Sequence, residues 1–324
     1  MRVLVTGATG FLGSRLVREL IRSGHEVFAL ARSAGSEAAV TRAGANAVRG
    51  DLDEPSDLRL PQVDAVIHAA AHFRLAGPRA PYFRTNVAGT AALLKMAREA
   101  GASTFIYVSA GAVVMDGRGS PLKNVDETAP TFPDSFSAYI ASKSQGEAAV
   151  LAANAPGFRT VALRPPGIWG PGDQFSTALP NMVRKGQFAF IGRGDYGYVT
   201  CHVDNVVEAL IKALDKGVGG RAYFINDPDP TTFRGFVSGV ARTFDLSVDR
   251  APSIPYRLAW VIGSAMEAIA GLLSPRSDPP MSRSMVRLIG REFVTSDAAA
   301  RRDLGYVGTV SRSQGLAGYG PAKP

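Results

Sequence analysis

The stretch RVLVTGATGFLG, from Arg2 to Gly13, decides the fold that we predict for this chain. Its apolar start predicts a short buried strand, and its glycines predict a turn. Apolar residues then recur at helical spacing up to residue 23, and residues 25–30 predict a second strand. A strand, a glycine turn, a helix and a further strand in this order are typical of a doubly wound parallel α/β sheet.

Each glycine of this turn has a separate predicted role. Gly7 permits the tight turn, Gly10 lets the backbone approach a diphosphate, and Gly13 lets the helix lie close to the strand. The free N–H groups and the positive dipole end of the helix would then meet the phosphate charge. Glycine is frequent in the whole chain, at 35 of 324 residues, so three glycines at this spacing are weak evidence by themselves. The strand before them and the helix after them are what favour dinucleotide binding over an ordinary glycine-rich turn.

The composition is that of a globular protein, with 46% hydrophobic and 20% charged residues and enough length for a sizeable core. A net charge of +8 suits an anionic cofactor, whereas scattered arginines and the lack of a basic tail argue against nucleic acid. The single Cys201 excludes an internal disulfide, and no His-rich spacing indicates a metal site. Because the first strand begins at once, we expect no signal peptide and a cytoplasmic protein.

The ends of the second and third predicted strands bear on the choice of dinucleotide. Arg32 and Ser33 follow Ala31, where an acidic residue would bind the adenine ribose 2′-hydroxyl; a cation and a hydroxyl suit a 2′-phosphate. NADP is therefore favoured over NAD, and the alternative is that Arg32 is merely solvated. Asp51, at the end of the third strand, can accept a hydrogen bond from the adenine amino group.

Small residues follow the buried strand 63–68. The run from Ala69 to Ala71 leaves room for backbone to approach a cofactor. His68, at the end of this strand, is expected to be a hydrogen-bonded core histidine rather than a catalytic group. Asn86, at the start of the next helix, can bond to backbone across the sheet.

Tyr139 and Lys143 are four residues apart in a predicted helix from 137 to about 153, so they share one face. The pKa of a tyrosine, ordinarily about 10, must fall before the phenol can exchange protons near neutral pH. A lysine ammonium and a cationic nicotinamide ring both favour the phenolate. Downstream of a glycine-turn unit, this pair indicates the acid/base group of a nicotinamide-dependent oxidoreductase.

Over nearly its whole length the chain resembles the extended short-chain dehydrogenase/reductase family, also called NAD-dependent epimerase/dehydratases. The matching segments are 6–13 (TGATGFLG), 50–52 (GDL), 68–71 (HAAA), 86–90 (NVAGT), 139–143 (YIASK), 163–172 (LRPPGIWGPG), 202–210 (HVDNVVEAL) and 302–306 (RDLGY). The resemblance implies a Rossmann-type domain with a smaller C-terminal substrate lobe. It is strongest to the branch that includes 3β-hydroxysteroid dehydrogenases and dihydroflavonol-type reductases.

The resemblance also implies roles for individual residues. Tyr139 would be the acid/base group, Lys143 would hold the nicotinamide ribose and lower the pKa of Tyr139, and Pro166 would lie against the nicotinamide. The full set of predicted cofactor-binding residues is Gly7, Thr9, Gly10, Phe11, Leu12, Arg32, Asp51, Leu52, Ala69, Ala70, Ala71, Asn86, Tyr139, Lys143 and Pro166.

The chain departs from the family pattern at Ala110. Family members usually have a Ser or Thr here, which polarises the reacting carbonyl. Ser109 lies one residue earlier, and neighbouring strand residues point to opposite faces. Ser109 is therefore a third candidate catalytic residue beside Tyr139 and Lys143, and Tyr139 working alone is the alternative.

We expect residues 1–165 to form mainly the dinucleotide-binding domain and 166–324 mainly the substrate lobe, with 199–226 returning to the sheet. The aromatic residues Phe188, Phe190, Tyr196, Tyr198 and Trp169 suggest an apolar pocket. Only about 16 residues follow Arg257 in the apolar stretch 254–273, fewer than a membrane span needs, which favours a buried or pocket-covering helix over membrane contact. The Pro- and Gly-rich tail is expected to fray.

The predicted function is NAD(P)-dependent interconversion of a hydroxyl and a ketone on an apolar small molecule. The alternatives are a nucleotide-sugar epimerase or dehydratase and a non-catalytic NAD(P)-binding regulatory protein. Ala110 argues for the non-catalytic alternative, and the intact pair of Tyr139 and Lys143 argues against it. The expected partner is the substrate alone, without nucleic acid or membrane, and a homodimer stays open.

Overall fold

The computed structural model describes residues 1–273 and 278–320. The strands are β1 (Arg2–Thr6), β2 (Glu26–Ala31), β3 (Asn46–Arg49), β4 (Ala65–His68), β5 (Thr104–Val108), β6 (Leu122–Val125), β7 (Arg159–Arg164), β8 (Gly167–Trp169), β9 (Phe190–Ile191), β10 (Thr200–His202), β11 (Arg221–Phe224), β12 (Ser253–Ile254) and β13 (Phe293–Thr295). The helices are α1 (Phe11–Arg22), α2 (Ala34–Arg42), α3 (Arg79–Phe83), α4 (Thr90–Glu99), α5 (Ala138–Ala152), α6 (Gln174–Arg184), α7 (Val203–Lys216), α8 (Phe233–Arg242), α9 (Tyr256–Leu273), α10 (Arg283–Ile289) and α11 (Arg312–Ala317). Four single turns complete the set, the 3₁₀ turns Pro55–Asp57 and Gly111–Val114 and the π-helical turns Arg84–Gly89 and Ala300–Leu304.

Seven parallel strands form the central sheet, in the order β3-β2-β1-β4-β5-β7-β11. The order reverses between β1 and β4, as it does in dinucleotide-binding doubly wound sheets. Helices α1 and α7 cover one face through a core that includes Leu16 and Val206. Helices α4 and α5 cover the other face through a core that includes Leu93 and Val150. The predicted Rossmann-type fold is confirmed.

The C-terminal half adds three small two-stranded sheets and an aromatic cluster. In these sheets β10 pairs with β8, β12 with β9, and β13 with β6. Of the segment 199–226, β11 lies at the edge of the central sheet and β10 lies outside it. Arg15 of α1 forms an ion pair with Asp204 of α7 at 3.1 Å and donates to the Pro171 carbonyl at 2.9 Å, so the first helix is tied to the later part of the chain.

The prediction for residues 254–273 is wrong in one of its two alternatives. Helix α9 is not buried as a whole, because an apolar stripe along it, including Val261 and Leu272, is exposed, and the pocket-covering helix stays a prediction. The predicted fraying of the Pro- and Gly-rich tail falls largely on residues 321–324, which lie outside the described residues; before them, α11 begins with a capping box at Ser311, and the buried Tyr319 donates a hydrogen bond to Asp173. In the parts of the chain that the structure describes, no helix has the length and apolarity needed to cross a membrane.

Candidate active site

The glycine turn between β1 and α1 is a cradle that side chains would fill. Gly7 has a φ of +71°, and a Cβ on it would lie 2.8 Å from the backbone N of Ala70. A Cβ on Gly13 would lie 2.0 Å from the Gly7 carbonyl oxygen. Gly10 is the N-cap of α1 and supplies no side-chain cap, so the first N–H groups of the helix are available to an anion. The residues present therefore fit a dinucleotide diphosphate.

The other predicted cofactor residues of this turn surround the cradle. Thr9 is exposed, Phe11 is half-buried, and Leu12 is buried beneath the helix. Ala69 and Ala70 are half-buried and Ala71 is exposed.

His68 is the centre of a buried hydrogen-bond chain. Its Nε2 donates to the Thr90 hydroxyl at 2.9 Å, because that hydroxyl uses its own proton on the Asn86 carbonyl. The Nδ1 of the neutral ring therefore accepts from the Thr6 hydroxyl at 2.7 Å, and the Thr6 oxygen accepts from the Ala70 N–H. Burial, with a smaller contribution from the charge of Lys143, lowers the pKa of His68 to about 3. His68 is thus a neutral core histidine, as expected.

Asn86 lies in the π-helical turn before α4, and its amide is committed to protein contacts. The amide oxygen accepts from the His72 N–H at 2.7 Å, and the amide nitrogen donates to the His72 carbonyl and to the Ser142 hydroxyl, both at 3.0 Å. The helix α5 comes close at this point, since a Cβ on Gly146 would lie 2.5 Å from the Asn86 carbonyl oxygen. Asn86 therefore joins the loop after β4 to the helix that carries Tyr139.

At the predicted adenine end, Arg32 is exposed and no side chain in the described ranges pairs with it. Ser33 is the N-cap of α2 and exchanges hydrogen bonds with Ser36 in a capping box. Asp51 is half-buried and accepts from a backbone N–H two residues further on, and Leu52 is buried. Among these four residues, Arg32 carries an exposed charge that has no counter-ion in the described ranges.

Tyr139 and Lys143 lie on the first turns of α5, beside the end of β5. The Lys143 ammonium donates to the Val108 carbonyl at 2.6 Å and lies 4.0 Å from the centroid of the Tyr107 ring. Burial lowers the pKa of Lys143 to about 7, and the charge of Glu147 opposes this shift. Burial raises the pKa of Tyr139 to about 12. Burial is the cause of this rise, and the lowering of the Tyr139 pKa by Lys143 that the resemblance implies stays a prediction.

Beyond the end of β5, Ala110 and Tyr139 both belong to one apolar cluster. The Ser109 hydroxyl is buried and finds no hydrogen-bond partner in the described part of the chain. Pro166, which follows β7, is buried, and its Cα would lie 3.4 Å from a Cβ on Gly111. The segments that follow β5 and β7 thus meet, since the Gly111 N–H also donates to the Pro165 carbonyl at 2.7 Å.

A buried ion pair that the sequence reasoning missed lies behind these residues. The Arg164 guanidinium donates to the Glu147 carboxylate at 2.7 and 3.0 Å, and both side chains are at most 5% exposed. Glu147 lies one helical turn after Lys143 on α5, and Arg164 ends β7. The signal was available, because a carboxylate four residues after Lys143 shares its face.

Phe73 is a second residue that the sequence reasoning missed. Its ring meets the Tyr139 ring edge to face, with centroids 4.8 Å apart, and yet the side chain is 49% exposed. The loop that carries it is held in place, since Arg74 pairs with Asp278 at 3.2 Å and the Ser282 hydroxyl donates to a loop carbonyl at 2.9 Å. Its position just after the small residues that follow β4 was the available signal.

The aromatic residues predicted to line a pocket are mostly core. Phe190 is fully buried, and Trp169 is buried with its Nε1 donating to Asp227 at 2.6 Å. The hydroxyls of Tyr196 and Tyr198 donate to the backbone carbonyls of α10. Phe188 packs edge to face on Phe190. For Phe190 and Trp169 the prediction is wrong, because aromatic side chains at this density fill one another's space.

Comparison with known proteins adds independent findings. Residues 4–256 match the model of the 3-beta hydroxysteroid dehydrogenase/isomerase family. The 4-hydroxy-2-methyl-3-oxo-4-farnesyl-3,4-dihydroquinoline-1-oxide ketoreductase of Stigmatella aurantiaca is 37% identical, over 100% of this chain and 97% of the relative. A 2-alkyl-3-oxoalkanoate reductase of Stenotrophomonas maltophilia is 35% identical, over 98% of this chain and 97% of the relative.

Solved structures share the architecture. The crystal structure of gox2253 superposes with a TM-score of 0.77 at 25% identity, covering 98% of this chain and 96% of the other. A UDP-glucose 4-epimerase of Thermotoga maritima superposes with a TM-score of 0.73 at 21% identity, over 98% and 96% of the two chains, which shows the shared fold alone. From the family match and the close relatives, the chain belongs to the 3-beta hydroxysteroid dehydrogenase/isomerase family and is an NAD(P)-dependent dehydrogenase/reductase of the extended short-chain type.

Proposed function

We propose that this enzyme interconverts a hydroxyl and a ketone on an apolar small molecule, with Tyr139 as the proton donor or acceptor. The observation that carries the proposal is the hydrogen bonding of Lys143 and Tyr139, the two polar side chains of α5 that lie beside the end of β5. Lys143 is held by the Val108 carbonyl at 2.6 Å, whereas the Tyr139 hydroxyl has no hydrogen-bond partner among the described residues. Ligands of open α/β sheets bind at this carboxyl edge.

The proton step depends on charge from outside the chain. Burial alone raises the pKa of Tyr139 to about 12, which keeps the phenol protonated and able to donate to a carbonyl oxygen. A bound nicotinamide supplies the hydride transfer, and its oxidised ring carries the positive charge that favours the phenolate. An ammonium has three donors, so Lys143 keeps two for ribose hydroxyls while it is held by Val108.

The apolar substrate class rests on what surrounds Tyr139. Phe73 presents a half-exposed ring to it, and Ala110 presents a methyl group where family members have a hydroxyl. The two relatives described above are named for 3-oxo compounds that bear a farnesyl or an alkyl group. A ketone attached to a hydrocarbon chain is therefore the substrate class that we propose.

NADP is the proposed cofactor in preference to NAD. The support is Arg32, which directly follows β2 and is exposed without a counter-ion in the described ranges. A 2′-phosphate would supply that counter-ion, whereas a 2′-hydroxyl would not.

The test is the turnover of long-chain 3-oxo esters and aryl ketones with each cofactor, followed by nicotinamide absorbance. Tyr139→Phe should reduce turnover by a factor of about 10²–10⁴, the usual contribution of a positioned acid/base group, and leave cofactor affinity unchanged. Two controls should stay within a few-fold of the parent. Tyr198→Phe removes a hydroxyl bound to backbone, and Ser109→Ala removes a buried hydroxyl that makes no hydrogen bond to Tyr139 or to any other described residue. Parent-like turnover of Tyr139→Phe would remove Tyr139 from the mechanism.

A further inference from the structure

The Tyr107 ring is in direct contact with the Lys143 ammonium. Tyr107 is the last residue but one of β5, Lys143 lies on α5, and both side chains are at most 2% exposed. The Lys143 Nζ lies 4.0 Å from the centroid of the ring. At this distance an ammonium is attracted by the negative face of an aromatic ring, most strongly where water is excluded. The ring is therefore an electrostatic partner of Lys143 as well as a packing partner.

Two neighbours hold the Tyr107 ring in this position. The His68 ring packs on it with centroids 5.5 Å apart, and a Cβ on Gly146 would lie 2.6 Å from the Tyr107 hydroxyl oxygen. Gly146 lies three residues after Lys143, in the interior of a helix where glycine is unfavourable, so its small size serves the close approach of α5. The helix that carries Lys143 is thus seated directly on Tyr107.

The charged groups near Lys143 act on it from further away. The charge of Glu147 opposes the lowering of the Lys143 pKa by burial. The Glu147 carboxylate is bound by the Arg164 guanidinium at 2.7 Å, however, and it makes no ion pair with Lys143. Its effect is therefore exerted over a distance and is offset in part by the charge of Arg164. The groups in contact with the ammonium are the Tyr107 ring and the Val108 carbonyl, which accepts its hydrogen bond at 2.6 Å.

The other titratable neighbours of Lys143 are neutral near pH 7. Burial, with a smaller contribution from the charge of Lys143, lowers the pKa of His68 to about 3. Burial raises the pKa of Tyr139 to about 12 and raises that of Tyr107 well above its ordinary value. Because His68 is uncharged, it does not compete with the ammonium for the Tyr107 ring.

We propose that Tyr107 is a positioning residue, whose ring keeps Lys143 in the ammonium form and leaves its free N–H groups to the cofactor ribose. The proposal rests on the proposed function in one respect, that Lys143 holds the ribose. Burial has already lowered the pKa of Lys143 to about 7. Loss of the ring would lower it further, so that most molecules would carry a neutral amine at neutral pH.

The test is the affinity for NADPH and for NADH, titrated between about pH 6 and pH 9 with no substrate present. The affinity of the parent should fall as the pH rises through the pKa of Lys143, because the ammonium is then lost. Tyr107→Leu removes the ring, so the fall should begin about one pH unit lower and the affinity at high pH should be about tenfold weaker. Tyr107→Phe keeps the ring and should bring the profile back to that of the parent.

The matched control is Phe105→Leu, two residues earlier on the same face of β5. Phe105 is also fully buried and packs on Phe158, and no cation lies over its ring in the described part of the chain. Phe105→Leu and Tyr107→Leu should lower the midpoint of urea unfolding to a similar extent, whereas only Tyr107→Leu should move the pH profile. If Tyr107→Leu folds poorly, Tyr107→Met fills more of the space and should show the same shift.

Three results would overturn the proposal. They are a Tyr107→Leu profile that coincides with that of the parent, a Phe105→Leu profile that shifts as much, and a Tyr107→Phe profile that resembles that of Tyr107→Leu. A parent whose cofactor affinity does not change with pH overturns it too, because the charge of Lys143 would then be irrelevant to binding. The proposed function fails separately, through parent-like turnover of Tyr139→Phe, and that result leaves the pH profile of cofactor binding unaffected.

Discussion

The glycine cradle and the aromatic cluster of the C-terminal half are built in opposite ways. The cradle works because side chains are missing, so that Gly7, Gly13 and the alanines after β4 leave backbone exposed to a ligand. The cluster works because side chains are large, and Phe190 and Trp169 fill the space between elements from distant parts of the chain. A region built from close backbone contacts is disrupted by a single added atom. In a region built from side chains, the effect of a substitution depends on how much volume it adds or removes.

The largest effect should follow from adding one carbon to the cradle. In Gly13→Ala the new methyl group would lie 2.0 Å from the Gly7 carbonyl oxygen, so the helix and the turn must separate. We expect the free energy of unfolding to fall by about 3 kcal/mol, as in strong overpacking, with a large loss of cofactor affinity. Urea unfolding and cofactor titration measure the two quantities.

The matched control is Gly35→Ala, at a helical position of α2 where the nearest atom to a new Cβ is 4.0 Å away. It should be neutral or slightly stabilising, because alanine is the better helix former. If both variants behave alike, the tight contact at Gly13 is not what shapes the cradle.

A smaller effect should follow from trimming the substrate side. Phe73→Ala removes a ring that is 49% exposed beside Tyr139. Covering that half of a phenyl ring contributes about 1–1.5 kcal/mol, so the KM of an apolar ketone should rise about tenfold with kcat nearly constant. Val307→Ala, at a similarly exposed side chain elsewhere, should leave both constants unchanged. A fall in kcat alone would instead make Phe73 a support for Tyr139.

The smallest effect should come from Arg32, a side chain at the cofactor end of the site, where the glycine cradle lies. Arg32→Ala should reduce the preference for NADP over NAD about fivefold, since an exposed charge pair contributes about 1 kcal/mol or less. Arg42→Ala removes another exposed arginine from the same part of the chain, in the last turn of α2, and should not alter the preference. Equal affinities of the parent for the two cofactors would contradict the assignment.

The same contrast explains which features could be predicted from sequence. The cradle, the neutral state of His68 and the shared face of Tyr139 and Lys143 depend on residues close in sequence, where periodicity and spacing are informative. The exposed stripe of α9 was not predictable, because an apolar helix has the same pattern whether its partner is protein or solvent. Phe73 was missed for a related reason: its loop is held by Asp278 and Ser282, some two hundred residues away.

The position of β11 has a consequence for synthesis. It completes the sheet beside β7, yet residues 165–220 lie between the two strands. At 5–20 residues per second, a ribosome needs about 3–11 s to supply this segment. During that time the β7 edge, with the apolar Val161 and Leu163, lacks the strand that covers it in the finished protein. The nascent chain is therefore most open to edge-to-edge aggregation in that interval, and a chaperone that acts on it should bind between the completion of β7 and that of β11.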